Sequence, residues 1–146
     1  MSYPLPSFHF QVNWGGSNIG FTRVRNLSMH IELIQSTTGA NPETSNKKQA
    51  GRTVYENILL ERSVHQGDNE FYEWWNQTQR AFTNGEDFLR DMTISLLNND
   101  HEPVVNWKIK HAFPVRLSYS DLDAMGSKVL TEVLEIACER IFVEND

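Results

Sequence analysis

The residues best able to do chemistry in this chain are five histidines, one cysteine and an acidic, glycine-containing stretch ahead of the last apolar segment. His9, His30, His65, His101 and His111 show neither HxH nor HExxH spacing, the arrangements that aim two imidazoles from one face. His101-Glu102 is followed at once by Pro103, which cannot continue a zinc-binding helix. Surface and turn positions explain these histidines better than a metal site. Cys138 has no clear partner and sits among apolar residues, the setting of an inert buried thiol rather than a nucleophile. Asp121-Leu122-Asp123-Ala124-Met125-Gly126, followed by Glu132, approaches a calcium loop, with Gly at the sixth position and Glu at the twelfth. Met125 stands where an oxygen ligand is needed, and the preceding Val115–Tyr119 run is strand-like where a helix is required. A polar turn between strands is the simpler reading. Gly15-Gly16-Ser17-Asn18-Ile19-Gly20 lacks the Gly-Lys-Ser/Thr ending of a phosphate loop and reads as a hairpin turn. No Ser/His/Asp set is recognisable, since triads assemble only in space. We expect no catalytic residue, no cofactor and no metal.

The bulk properties narrow the classes further. A chain of 146 residues is long enough for one domain with its own core, and no repeat or second domain is visible. Net charge is -6 with no basic block, which argues against sequence-specific nucleic-acid binding, because that needs phosphate-neutralising Lys and Arg. No apolar run approaches the length of a membrane span, so no direct membrane anchor is expected. Met1-Ser2-Tyr3-Pro4-Leu5-Pro6 has neither a basic start nor an apolar core, so a signal peptide is not expected and synthesis is assigned to the cytoplasm. A single cysteine cannot form an intramolecular disulfide and suits a reducing compartment.

The scaffold that would position any site is mostly β. One exception stands out in Gln66-Gly67-Asp68-Asn69-Glu70-Phe71-Tyr72-Glu73-Trp74-Trp75. Gly67 breaks the preceding strand, Asp68 can accept from the free N–H groups of the next turn, and Glu70 sits at the positive end of the helix dipole. We expect a helix over about 69–82. Phe71, Trp74, Trp75 and Phe82 form its packing face, and Glu70, Glu73, Gln77 and Arg80 the other. Trp74 and Trp75 could stack a base or a sugar, but at helical spacing beside Phe71 they read as core. Elsewhere apolar and polar residues alternate. Phe8–Val12 leads into the glycine turn and a second strand from Ile19 to Val24. Leu27, Met29, Ile31 and Leu33 oppose Ser28, His30 and Glu32; Met92, Ile94 and Leu96 oppose Asp91, Thr93 and Ser95. Val105, Trp107 and Ile109 oppose Asn106, Lys108 and Lys110, and the intervening Asn98–Pro103 makes these last two runs a hairpin. Phe113, Val115, Leu117 and Tyr119 continue after a bend at His111-Ala112.

Two segments resist this reading. Between Thr37 and Gly51 no apolar period survives, and a loop of that length is usually functional or disordered; strand character resumes from Arg52 to Leu60. From Lys128 to Val143, the residues Val129, Leu130, Val133, Leu134, Ala137, Cys138 and Ile141 fit a helical stripe. Read as a strand, Leu130, Leu134, Ile136 and Cys138 share a face that Glu132 interrupts. The pattern alone favours the helix. Glu132, Glu135, Glu139 and Arg140 read as a solvated face.

Tyr3–Val12, Gly20-Phe21-Thr22, Gly39-Ala40-Asn41-Pro42-Glu43 and Gln66–Trp75 resemble, in order, the tube protein of contractile injection systems, a resemblance that extends to contractile phage tail tubes. Asp91–Asn98, His101–Lys108 and Ala112–Val115 extend the resemblance nearly end to end. It implies a mainly β fold, an antiparallel β-barrel or sandwich with one flanking helix, in a single domain over 1–146. It implies six copies in a ring, rings stacked into a hollow tube, and partners in sheath, baseplate and tube-cap proteins. Effector or DNA cargo would occupy the lumen, and the particle would be a phage tail or an extracellular or membrane-attached injection device. It also implies a long strand for the C-terminal segment, which we adopt over the helical pattern, because tertiary context overrides local preference. The 37–51 segment becomes the assembly loop, with Gly39, Ala40, Asn41, Pro42, Glu43, Lys47 and Lys48 as oligomer-interface candidates of both charge signs. The family pattern carries Glu or Ser-Gly in the stretch aligned with Thr22–Asn26, whereas this chain has Arg23 and Arg25 there, two added charges at a ring or sheath contact. Rival readings are an effector-carrying ring protein of type six secretion and, less favoured, a small-ligand-binding β-barrel.

Overall fold

A single strand of 17 residues, β7 (Pro103–Tyr119), organises the protein. In the computed structural model, which describes residues 3–18, 20–36, 47–84 and 87–145, its first half lies between β6 (Arg90–Leu97) and β9 (Arg140–Asn145). Its second half pairs with β8 (Thr131–Ala137). Beyond β6 lies β1 (Phe10–Asn13); beyond β8 lie β5 (Ile58–Ser63) and then β2 (Phe21–Arg25). All these pairings are antiparallel. We call β1-β6-β7-β9 sheet A and β7-β8-β5-β2 sheet B. The expected bend at His111 is where β7 passes from one to the other. His111 takes a left-handed φ of 52°, and its N–H donates to Asp91 Oδ1 at 3.0 Å, so a carboxylate takes up the ladder bond that the distortion costs.

Both sheets and the helix α1 (Glu70–Asn84) close on one core. Val12, Ile94, Ile109 and Ile141 enter it from sheet A, Ile58, Leu60, Leu134 and Ile136 from sheet B, and Phe71 and Trp74 from the helix. β5 and β8 are matched pair by pair, Ile58 opposite Ile136, Leu60 opposite Leu134 and Arg62 opposite Glu132. The helix begins as its sequence requires, with Asp68 Oδ1 accepting from Glu70 N–H at 3.2 Å. The chain that follows it is tied back to its early turns by Trp74 Nε1–H, which donates to Phe88 O at 2.9 Å.

Four expectations need correction. Phe82 is 95% exposed, and Ala81 takes the buried place in the last turn, about 100° round the helix from it. The packing face is therefore Phe71, Trp74 and Ala81, with Trp75 half-buried. Gly15–Gly20 is no hairpin turn, since β1 pairs with β6 and β2 with β5. Trp14 turns into the core instead, its Nε1–H donating to Ser17 O at 2.8 Å, while Ser17 N–H donates to Glu70 Oε2 at 2.6 Å. This ties the glycine stretch to the helix rather than to a partner strand. The C-terminal segment is two strands broken at Cys138-Glu139, not one long strand. Glu132 is buried rather than solvated, because Arg62 neutralises it from the facing strand.

Candidate assembly surfaces

Among the described residues the distinctive surfaces are strand edges and exposed apolar side chains, not a constellation of chemical groups. The histidines are dispersed. His30 pairs with Glu56 at 2.9 Å, His65 meets Ser63 at 3.2 Å, and His111 meets Glu139 at 2.5 Å. Glu139 holds the His111 imidazolium above its ordinary value, chiefly through that hydrogen bond. His9 and His101 come together, ring nitrogens 3.0 Å apart, a proximity that a sequence separation of 92 hid. Among the described residues no group of three or more His, Cys, Asp or Glu side chains is placed to hold a metal ion. Burial raises the Cys138 thiol pKa, which keeps it protonated and unreactive. Asp123 Oδ1 accepts from Met125 N–H and Asp123 O from Gly126 N–H, so the acidic stretch is a turn.

Among the described residues, the buried charged cluster at Arg62 is structural. Arg62 is 1% exposed; its Nε–H donates to Glu132 Oε1 at 2.7 Å and an Nη2–H to Asp68 Oδ1 at 3.1 Å. Its guanidinium also stacks 3.9 Å from the Phe71 ring centroid. Through Asp68 this cluster fixes the helix start onto sheet B. Sequence reading missed it, although an acid on the otherwise apolar face of β8 was the visible trace.

The first unpartnered surface is a ribbon. β3 (Met29–Ser36) and β4 (Lys47–Tyr55) pair only with each other, apart from both main sheets. The segment expected as a loop to Gly51 is strand from Lys47 onward: Lys47 lies opposite Ser36 and Lys48 opposite Gln35. Lys47, Lys48, Gln49 and Ala50 are exposed, and pairing with β3 sustains the strand without an apolar period. Met29, Ile31, Leu33 and Ile34 are exposed, Ile31 at 58% and Leu33 at 57%. Gly39, Ala40, Asn41, Pro42 and Glu43 lie outside the described residues. A two-stranded ribbon is marginal alone, and an apolar stripe on it is costly in water.

The second surface is an opening in the sheet. The strand path ends at β1 and β2, and between these two edges lies an apolar groove of about 490 Å³ lined by Leu5, Phe8, Phe10, Val24, Ile94 and Trp107, among others. Unpaired edges of this kind invite further strands. The outer faces of the two sheets form the third surface. On sheet A the alternation places Thr93, Asn106, Lys108 and Lys110 outside, with Lys108 paired to Glu144 at 3.1 Å and Lys110 to Asp91 at 3.5 Å. On sheet B, Arg23, Arg25 and Arg116 are exposed.

Open edges, a separate two-stranded ribbon and a water-tolerant second face suit a strand-built assembly protein. The comparisons specify which. The sequence model described as T4-like virus tail tube protein gp19 matches residues 6–141, so the chain belongs to the T4-like tail tube protein gp19 family. It is a tail tube protein of the contractile injection system type. The structure aligns with a chain of the sheath-tube complex of the extracellular contractile injection system PVC, in its extended state, at TM-score 0.85 and 26% identity. That match covers 99% of this chain and 93% of the other. A chain of the anti-feeding prophage (AFP) baseplate aligns at TM-score 0.83 and 28% identity, covering 99% and 98%. Hcp1 from Flavobacterium johnsoniae shares the fold more loosely, at TM-score 0.55 and 18% identity over 95% and 97%. A search of curated proteins by sequence finds no match.

Proposed function

We propose that six copies of this chain close into a ring and that rings stack into the hollow inner tube of a contractile particle, driven by a sheath. The tube starts on a baseplate, ends at a cap, and carries or conducts effector or DNA cargo. The particle is a phage tail or an extracellular or membrane-attached device, assembled in the cytoplasm. The role is structural rather than catalytic.

The observation that carries this reading is the ribbon: an apolar stripe and two edges unpaired among the described residues, on an element joined to the core only at its base, through Tyr55. Copies that supply the missing support remove both liabilities at once. Residues 37–46 and the ribbon ends at Lys47 and Lys48 then reach the adjacent subunit or the next ring, where Glu43 and the two lysines offer both charge signs. The water-tolerant face of sheet A suits a lumen through which cargo slides.

Deleting residues 40–48 should leave a folded protein that does not polymerise. Circular dichroism checks the fold, and negative-stain microscopy, with baseplate components present to nucleate growth, checks the tubes. Tubes of normal length from the deletion would defeat this assignment of the loop.

A further inference from the structure

The register of sheet B places Arg25, Leu59, Glu135 and Arg116 in one row across four strands. On the outer face this row frames a depression of about 130 Å³, completed by Ser118 and Val133. Leu59 and Val133 make its floor apolar, and a guanidinium stands at either end, the outer backbones roughly 14 Å apart. Among the described residues no carboxylate lies within ion-pair distance of Arg25 or Arg116. Glu135 shares the row, but its Oε2 accepts from Asn57 Nδ2–H at 3.0 Å. Two free cations against one acid leave the depression positive, on a chain whose net charge is -6.

The complementary shape is on the same molecule. The segment between β7 and β8 carries Asp121, which is exposed and has no ion partner among the described residues. Beside it Leu122 is 87% and Met125 94% exposed. The base of this loop is clamped, Ser120 N–H donating to Thr131 O at 2.9 Å and Thr131 N–H to Ser120 Oγ at 3.0 Å. With the Asp123–Gly126 turn, the clamp holds a loop whose tip stays exposed at Leu122 and Met125. The loop leaves sheet B beside the Tyr119–Glu132 pair, whereas the arginine row lies three residues further along, where β2 ends. An acidic, apolar-tipped knob at one end and a basic, apolar-floored hollow towards the other make a head-to-tail pair.

We infer that the β7–β8 loop of one copy seats in the Arg25–Arg116 depression of another, Asp121 against the guanidiniums and Leu122 over Leu59 and Val133. The contact rests on the self-assembling reading above and names two of the surfaces that meet. It also gives Arg25 a role that the family pattern did not supply.

Charge reversal tests it. Arg25→Glu with Arg116→Glu, and separately Asp121→Arg, should each raise the concentration needed for polymerisation by about tenfold or more, with unchanged circular dichroism. Combining all three should recover assembly. As a second measurement, Ser118→Cys with Leu122→Cys should give disulfide-linked ladders from oxidised assemblies and none from monomers. Reversed variants that polymerise like wild type, or absence of ladders from assembled protein, would overturn the contact and leave the tube reading standing. Wild-type protein that stays single-copy under nucleating conditions would overturn both.

Discussion

The β3–β4 ribbon and the two-sheet body are written in the same alternating code and come to opposite ends. In β5 the alternation Ile58, Leu60, Arg62 faces Ile136, Leu134 and Glu132 under a helix, and every inward residue is buried. In β3 the alternation Met29, Ile31, Leu33 stays exposed among the described residues. Alternation states that a strand has an apolar side; it does not state which molecule covers that side. The body is finished by its own chain; on the proposed reading the ribbon is finished by another copy, so substitutions in the first should change folding and those in the second should change assembly.

The sharpest test of that division lies in the body. Glu132→Ala leaves Arg62 buried with only Asp68 as an ionic partner, and should cost roughly 3–5 kcal/mol in urea unfolding. Replacing both by apolar residues, Arg62→Met with Glu132→Leu, should recover most of that loss, since neither charge is then stranded. Trp74→Ala, at a fully buried ring, should cost about 3–5 kcal/mol, whereas Phe82→Ala on the same helix should stay within about 0.5 kcal/mol in the monomer. A large monomer effect at Phe82 would break the revised helix face.

On the ribbon the expectation inverts. Ile31→Ser with Leu33→Ser should shift the urea midpoint of the monomer by less than about 0.5 kcal/mol equivalent, yet abolish tubes in negative stain. Equal loss of folding and assembly would mean the ribbon is part of the body after all.

The smallest effect is at the bend of β7. Glu139 raises the His111 pKa, so this pair contributes fully below the ordinary histidine value of about 6.5 and is lost as pH rises through the raised one. The Asp91 pKa is lowered, mainly by the His111 N–H, so its contribution holds above the ordinary carboxylate value and is lost as pH falls through the lowered one. His111→Asn should flatten the pH dependence of Tm above about 6.5 and leave the acid limb in place. Both groups are exposed, so the change is small and salt-sensitive.

Legibility followed the range of the forces. The helix start at Asp68, the β6–β7 hairpin and the bend at His111 are local, set by capping and turn chemistry within a few residues. Long-range partners were not readable. Glu132 looked like an interruption because Arg62, 70 positions earlier, is what makes its burial tolerable. The glycine stretch looked like a hairpin because Glu70, 53 positions later, holds it. Phe82 sits at a core-facing spacing, but no sheet covers the end of the helix there. Lys47–Gly51 hid as a loop because its strand is held by backbone pairing to β3, which leaves no apolar period in the sequence. Among the interface candidates, only Lys47 and Lys48 fall on described backbone, and they are exposed at the outer end of the ribbon.

A reconstruction of the assembled particle by electron cryomicroscopy, at a resolution that shows side chains, tests the account most directly. It should show Ile31 and Leu33 buried beneath a neighbouring copy, with the β1 and β2 edges paired or covered around a central channel. A tube whose ribbons face solvent on both sides would contradict it.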